Sequence, residues 1–202
     1  MKSITYGSFK NQKLSFRTLW RGEFFMPVDT RDLIAKAAVS LLMDKKVKKL
    51  TVKDIVESCN ITRQTFYYHF ADIPDLLEWM LDRESENFMR ETLAQGDAEG
   101  GLRYLILLYL QARPLLTQGM KSNYGDELER ILREKLFELA ERISDNQGLY
   151  AHCSRQDRRL ILRYHCMAIL GTLQDWTEED TKNLDHNVHL LYLLLTGGIS
   201  AN

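Results

Sequence analysis

Apolar residues recur at helical spacing along most of the chain. Across residues 30–44 the pairs Leu33/Ile34, Ala37/Ala38 and Leu41/Leu42 follow one another at four-residue intervals, which sets them in one stripe of a helix. Asp29 or Thr30 is its expected N-cap. Residues 51–58 repeat the pattern on a smaller scale: Val52, Ile55, Val56 and Cys59 form the stripe and Thr51 the cap. In residues 62–70, Phe66 and Phe70 share a face, again behind a threonine cap, Thr62. A longer helix is expected over residues 73–93, with Leu76, Leu77, Met80, Leu81 and Phe88 inward.

Further on, residues 95–101 carry three glycines and read as a loop. Residues 102–112 are apolar nearly all round, the mark of a buried helix, and Arg113-Pro114 is expected to interrupt it before a short helix to Lys121. Asp126 is the expected cap of a charged amphipathic helix to about residue 143. Two long helices, residues 154–176 and 177–196, then close the chain. The first opens at Ser154-x-x-Asp157 and the second at Thr177-x-x-Asp180, with Gly197-Gly198 ending it. The expected class is all-α: a three-helix unit over residues 26–72 ahead of a larger helical body over 73–202.

The short helices at 51–58 and 62–70 are separated by Asn60-Ile61. A sharp bend there needs a residue at positive φ, and asparagine is among the few that accept it besides glycine. With Phe66 and Phe70 turned inward, Gln64 and Tyr68 point the opposite way. Thr65 and Tyr67 flank them, and Arg63 and His69 sit near the borders. Two tyrosines on a solvent face are costly unless they have a partner. Planar rings with polar tips suit a DNA groove, where hydroxyls reach phosphate and rings meet thymine methyls.

Charge sharpens this picture. The net charge is −1, but residues 1–25 carry five basic and one acidic side chain, residues 26–72 eight and six, and residues 73–202 fourteen and twenty-one. A basic front on an acidic body suits a nucleic-acid head. Two readings stand for residues 1–25, which lack periodicity: translation beginning at Met26, or a basic arm reaching DNA phosphate or minor groove. The lysines of residues 45–49 serve equally as a solvated helix end or as phosphate contacts. Three cysteines without recurrent spacing point to a reducing cytoplasm rather than a disulfide framework. No apolar run is long enough to span a bilayer, and no signal peptide is evident.

The run Thr65-Phe66-Tyr67-Tyr68-His69-Phe70, with Thr51-Val52-Lys53-Asp54-Ile55-Val56 before it and Leu76-Leu77 after it, resembles the helix-turn-helix of TetR/AcrR-type bacterial transcription regulators. The likeness covers residues 30–81. It implies a three-helix DNA-binding domain, a C-terminal ligand and dimerisation domain, and a pseudo-palindromic double-stranded operator bound by a homodimer. The family's DNA contacts fall on positions matching Lys53, Thr62, Arg63, Gln64, Thr65, Tyr67, Tyr68 and His69. The last two long helices pair with those of a second subunit, and Ala168 and Gly171 would permit close approach. Repression of adjacent genes, relieved by a small molecule or protein partner, is the family default. Residues 63–70 with Leu76-Leu77-Glu78-Trp79 also look like the branch that includes regulators of dihydroxyacetone kinase genes, for which activation through a protein co-regulator is the alternative. One position departs from the pattern. Members often carry lysine at the start of the fourth helix as a phosphate anchor, and Ile73 stands there. Asp72 still caps that helix, leaving its backbone amides as a substitute anchor.

No phosphate-binding glycine loop or nucleophile elbow is present, and an enzyme is not expected. The pairs His152-Cys153 and His165-Cys166 and the spacing His186-x-x-His189 fall short of a converging metal set, so neither metal nor cofactor is expected. Tyr104, Tyr109, Tyr164, Met167 and Trp176 are candidates for an effector cavity in the body, with plain core packing as the alternative for each. A protein-interaction adaptor with this fold is the competing functional class.

Overall fold

The computed structural model describes residues 29–44, 49–93 and 97–198, and every regular element among them is a helix. Helices α1 (Thr30–Met43), α2 (Val52–Ser58) and α3 (Arg63–His69) form the head; α4 (Ile73–Leu93) leads into the body. The body holds α5 (Ala98–Met120), α6 (Gly125–Gln147), α7 (Arg155–Gln174), α8 (Glu178–Lys182) and α9 (Leu184–Thr196). The readings of residues 1–25, of a start at Met26 and of Lys45, Lys46 and Lys48 lie outside the described residues. No helix among those described is long and apolar enough to cross a membrane.

Local chemistry sets most of the boundaries. Asp29 caps α1 by accepting from the Arg31 amide, which settles the choice between Asp29 and Thr30. Ser154 caps α7, and Thr177 forms a reciprocal capping box with Asp180 at α8. Gly148 and Gly197 end α6 and α9 in the left-handed conformation. The turn between α5 and α6 needs Gly125, because a Cβ there would meet the Met120 carbonyl oxygen at 2.2 Å.

Four expectations are corrected. Helix α5 runs unbroken through Pro114 and begins at Ala98, so Ala98–Gly101 is helical rather than loop. Packing overrides the missing N–H: Leu102 and Ile106 are buried on one side of the proline and Gly119 on the other. The Arg113 guanidinium also fixes this stretch, donating to the backbone oxygens of Trp176 (2.5 Å) and Gln174 (3.1 Å). Asp126 does not cap α6, which starts one residue earlier behind Tyr124. The final helix is divided at Asn183, whose side-chain amide donates to the Glu179 carbonyl while that of Asn187 donates to the Asp180 carbonyl. These bonds satisfy the helix-end carbonyls, and the chain turns there.

The head is not a tethered bead. One hydrophobic cluster joins Ile34, Ala38, Leu50, Ile55, Phe66 and Phe70 of the head to Leu76 and Met80 of α4 and to Leu128 and Ile131 of α6. It crosses the expected boundary between residues 72 and 73 without a gap. A second cluster packs α5 against α7 and α9 through Ile106, Leu173, Trp176 and Val188. A third joins α4, α5 and α6 through Phe88, Met89, Tyr104, Leu105 and Leu139. Polar ties pin α4 to α6: the Lys135 ammonium donates to Asp82 (2.9 Å), Glu78 (3.0 Å) and Glu138 (3.2 Å). Burial works against its charge, and the three carboxylates outweigh that, holding its pKa above the ordinary lysine value.

Candidate nucleic-acid interface

Helix α3 is short, so its position depends on what lies under and before it. The Thr51 hydroxyl accepts from the Asp54 amide at 3.2 Å and donates to the Asp54 carboxylate at 2.6 Å, fixing the start of α2. Asn60 takes φ +53, and the Ile61 amide donates to the Val56 carbonyl, which closes the bend. The Thr62 hydroxyl then accepts from the Thr65 amide at 3.0 Å. Beneath the helix Phe66 is fully buried and Phe70 nearly so, Phe70 lying edge-on to Trp79 at 5.6 Å. Arg31 lies over the rings of both Phe70 and Trp79, and Arg83 over Trp79 while pairing with Asp32, so α1 and α4 are locked behind the recognition element.

The outward face is as the periodicity predicts. Arg63, Gln64 and Tyr67 are exposed and Tyr68 is 84 % exposed. Thr65 and His69 are half-buried at the edges, Thr65 sharing a 2.9 Å hydrogen bond with the Thr62 hydroxyl. The rings of Tyr68 and His69 meet edge to face at 5.0 Å, which orients the tyrosine. Lys53 projects from α2 with Glu57 3.8 Å away in the next turn. Lys53 on α2 and Thr62, Arg63, Gln64, Tyr67 and Tyr68 at α3 are thus exposed, with Thr65 and His69 half-buried beside them.

The region beginning α4 differs from expectation in one respect. Ile73 is 1 % exposed and belongs to the head's core, so this position supports the junction instead of facing outward. The substitute anchor is also taken. The Asp72 carboxylate accepts from the Asp75 amide at 2.9 Å, and the Asp75 carboxylate from the Ala71 amide at 2.8 Å. Two carboxylates occupy the amides of Ala71 and Asp75 at this helix end and add negative charge there. The first bond is the Asp72 cap expected from the sequence; the second lies outside that expectation.

The five cavity candidates are not brought together. Trp176 is core, its indole N–H donating to the Thr181 hydroxyl. Tyr104 stacks on Phe88, and burial first, then Glu91 and Glu84, raises its pKa. Tyr109 borders a small void of about 170 Å³ beside Met80 and Leu132. Tyr164 is 70 % exposed on the outside of α7, and Met167 borders an open groove with Phe137 and Arg159. The large apolar cavity of the body lies elsewhere, among Leu105, Leu136, Ile143, Tyr150 and His165. No grouping of three or more His, Cys, Asp or Glu suited to a metal occurs among the described residues.

Comparison with known proteins agrees with this geometry. Residues 34–80 match the family described as "Bacterial regulatory proteins, tetR family". The chain is 28 % identical over 155 residues, 72 % of its length and 78 % of the relative's, to the "HTH-type dhaKLM operon transcriptional activator DhaS" of Lactococcus lactis. It is 25 % identical over 122 residues, 53 % of its length and 56 % of the other's, to a "Probable acrEF/envCD operon repressor" of Escherichia coli. Among solved structures, "Dihydroxyacetone kinase operon activator DhaS" superposes with a TM-score of 0.60 at 20 % identity, covering 86 % of this chain and 97 % of that one. Residues 34–80 are a helix-turn-helix domain of the tetR family of bacterial regulatory proteins, and the chain is a DNA-binding regulator of transcription.

Proposed function

We propose that the protein acts in the cytoplasm as a homodimeric repressor of adjacent genes, reading a pseudo-palindromic operator with α3 and released by an effector held in its body. The observation that carries this is the outward face of α3, polar and aromatic, set on the fully buried Phe66. Two copies of it entering successive major grooves would lie about 34–36 Å apart. Lys53, Arg63, Gln64 and Tyr68 are the residues best placed for base edges and phosphates, with Thr62, Thr65, Tyr67 and His69 beside them.

Pairing through α7 and α9 is supported by what those helices leave uncovered. Leu160, Tyr164 and Met167 form an exposed stripe on α7, and Gly171 continues it with open space around it. Leu190 and Leu194 are exposed one turn apart on α9. A two-fold axis would set these self-complementary faces together. An effector that prefers one spacing of the two heads would then shift operator affinity.

Activation is the second reading, favoured by the description of the Lactococcus relative as an activator. The acidic caps Asp72 and Asp75 favour the adaptor alternative, since they weaken the phosphate grip. A gel-shift and footprint with the gene's own upstream region decide among these. Protection of a symmetric site overlapping the promoter supports repression, protection upstream of it supports activation, and no protection leaves the adaptor.

A further inference from the structure

The body holds a half-open cavity of about 690 Å³ between α4, α5, α6, α7 and α9, within the range that holds a small organic molecule. Its wall is built from Phe88, Leu102, Leu105, Leu136, Leu139 and Ile143 together with further apolar groups, and contains no Asp, Glu, Lys or Arg among the described residues. An ion taken into such a space would lose its hydration and find no countercharge.

The polar groups of the wall include Gln147, His152, Tyr192 and Thr196 beside a hydrogen-bonded Tyr150–His165 pair. The Tyr150 hydroxyl lies 3.0 Å from Nε2 of His165 and 3.4 Å from the Leu195 carbonyl, so it ties the turn after α6 to both α7 and α9. Tyr150 holds φ +58, a conformation an aromatic residue adopts only where its surroundings enforce it. Burial keeps the His165 imidazole below its ordinary pKa, so the ring is neutral at pH 7. Thr92, also in the wall, has a buried hydroxyl oxygen without a hydrogen-bond partner.

We infer that this cavity is the effector site, and that it selects an uncharged molecule with an apolar body and one hydroxyl or carbonyl group that joins the Tyr150–His165 pair. The inference rests on the reading of the body as effector-binding and supplies its site and ligand class. Because Tyr150 bridges to α7 and α9, a ligand group inserted at its hydroxyl moves the two helices proposed to pair the subunits.

The test uses three probes that differ only at one end: 1-decanol, decanoate and decylammonium. Each is titrated into the full-length protein at pH 7.5 and followed by calorimetry, without DNA. Saturable binding of 1-decanol is expected, with both charged probes at least about tenfold weaker. Tyr150→Phe should weaken 1-decanol about fivefold, the worth of a neutral hydrogen bond. Leu105→Trp, which fills the cavity without touching the polar pair, should abolish binding while circular dichroism remains that of the parent. Equal binding of decanoate, absence of saturable binding by all three, or full binding by a folded Leu105→Trp variant would each overturn the assignment. A separate gel-shift isolates the underlying reading: 1-decanol that binds as expected but leaves operator affinity unchanged keeps the ligand class and refutes the effector role.

Discussion

The side-chain amide of Asn123 pairs with both backbone groups of Leu50, its oxygen accepting from the Leu50 N–H at 2.9 Å and its nitrogen donating to the Leu50 carbonyl at 3.3 Å. Leu50 immediately precedes Thr51, the cap of α2, and Asn123 lies in the turn between α5 and α6. The head is thus clamped to the body at the root of its DNA-reading unit, seventy-three residues away in sequence. Any shift of the α5–α6 turn is delivered to α2 directly, in parallel with the path through α4.

Asn123→Ala leaves a half-buried N–H and carbonyl unpaired. It should cost about 1–3 kcal/mol, a fall of several degrees in the thermal midpoint. Asn123→Asp keeps the acceptor and loses the donor, and should fall between. Amide exchange at Leu50 locates the effect; unchanged protection there in the alanine variant would remove the clamp.

On the outward face, Tyr68→Ala and Arg63→Ala should weaken operator binding by roughly 1–3 kcal/mol each if they meet base edges, with little change in melting. Lys53→Ala should flatten the salt dependence of binding by about one ion if it neutralises a phosphate. Phe66→Ala behaves differently, since it empties a core site and should cost about 3–5 kcal/mol of folding stability before any DNA is added.

Ile73→Lys separates the family pattern from the packing of this chain. The pattern alone predicts tighter DNA binding through a restored phosphate anchor. The buried position predicts a protein destabilised by about 2 kcal/mol or more, because an ammonium replaces a core side chain. Denaturation and gel-shift on one preparation discriminate the two.

For the subunit contact, Tyr164→Asp and Leu194→Asp should give monomers in sedimentation while the far-ultraviolet spectrum stays helical. Leu191 is a poorer site for that test, because it packs beside Trp176 and Val188 within one chain.

The neutral state of His165 carries a pH dependence. Burial lowers its folded pKa, so below the unfolded value of about 6.5 the unfolded chain binds more protons than the folded one. The contribution is complete above that pH and is lost as pH falls through the folded pKa. The thermal midpoint should therefore drop more steeply between pH 7.5 and 5 in the parent than in His165→Gln; parallel slopes would refute the argument.

The reading head was legible from the chain because its determinants are local. Thr51, Asn60 and Thr62 act on groups within a few residues of themselves, and the four-residue spacing of Phe66 and Phe70 defines the outward face on its own. The body was legible only as a set of helices. Pro114 marked an ending that packing on both sides removes, and the 177–196 stretch, read as one helix, gave no sign of the break at Asn183. Aromatic residues were a poor guide to the cavity: Trp176 packs into core and Tyr164 faces out, while the polar pair in the cavity wall comes from Tyr150 and His165.

What the sequence by itself determined is the all-α class, the caps and bend of the helix-turn-helix, and the residues on its outer face. Each follows from hydrogen bonds and periodicity within one or two turns of helix. Only the tertiary structure decided that Ile73 is core, that Asn123 holds Leu50, and where the cavity lies. Those outcomes depend on which helix lies against which, and the contact energy of distant segments has no periodicity to read along the chain.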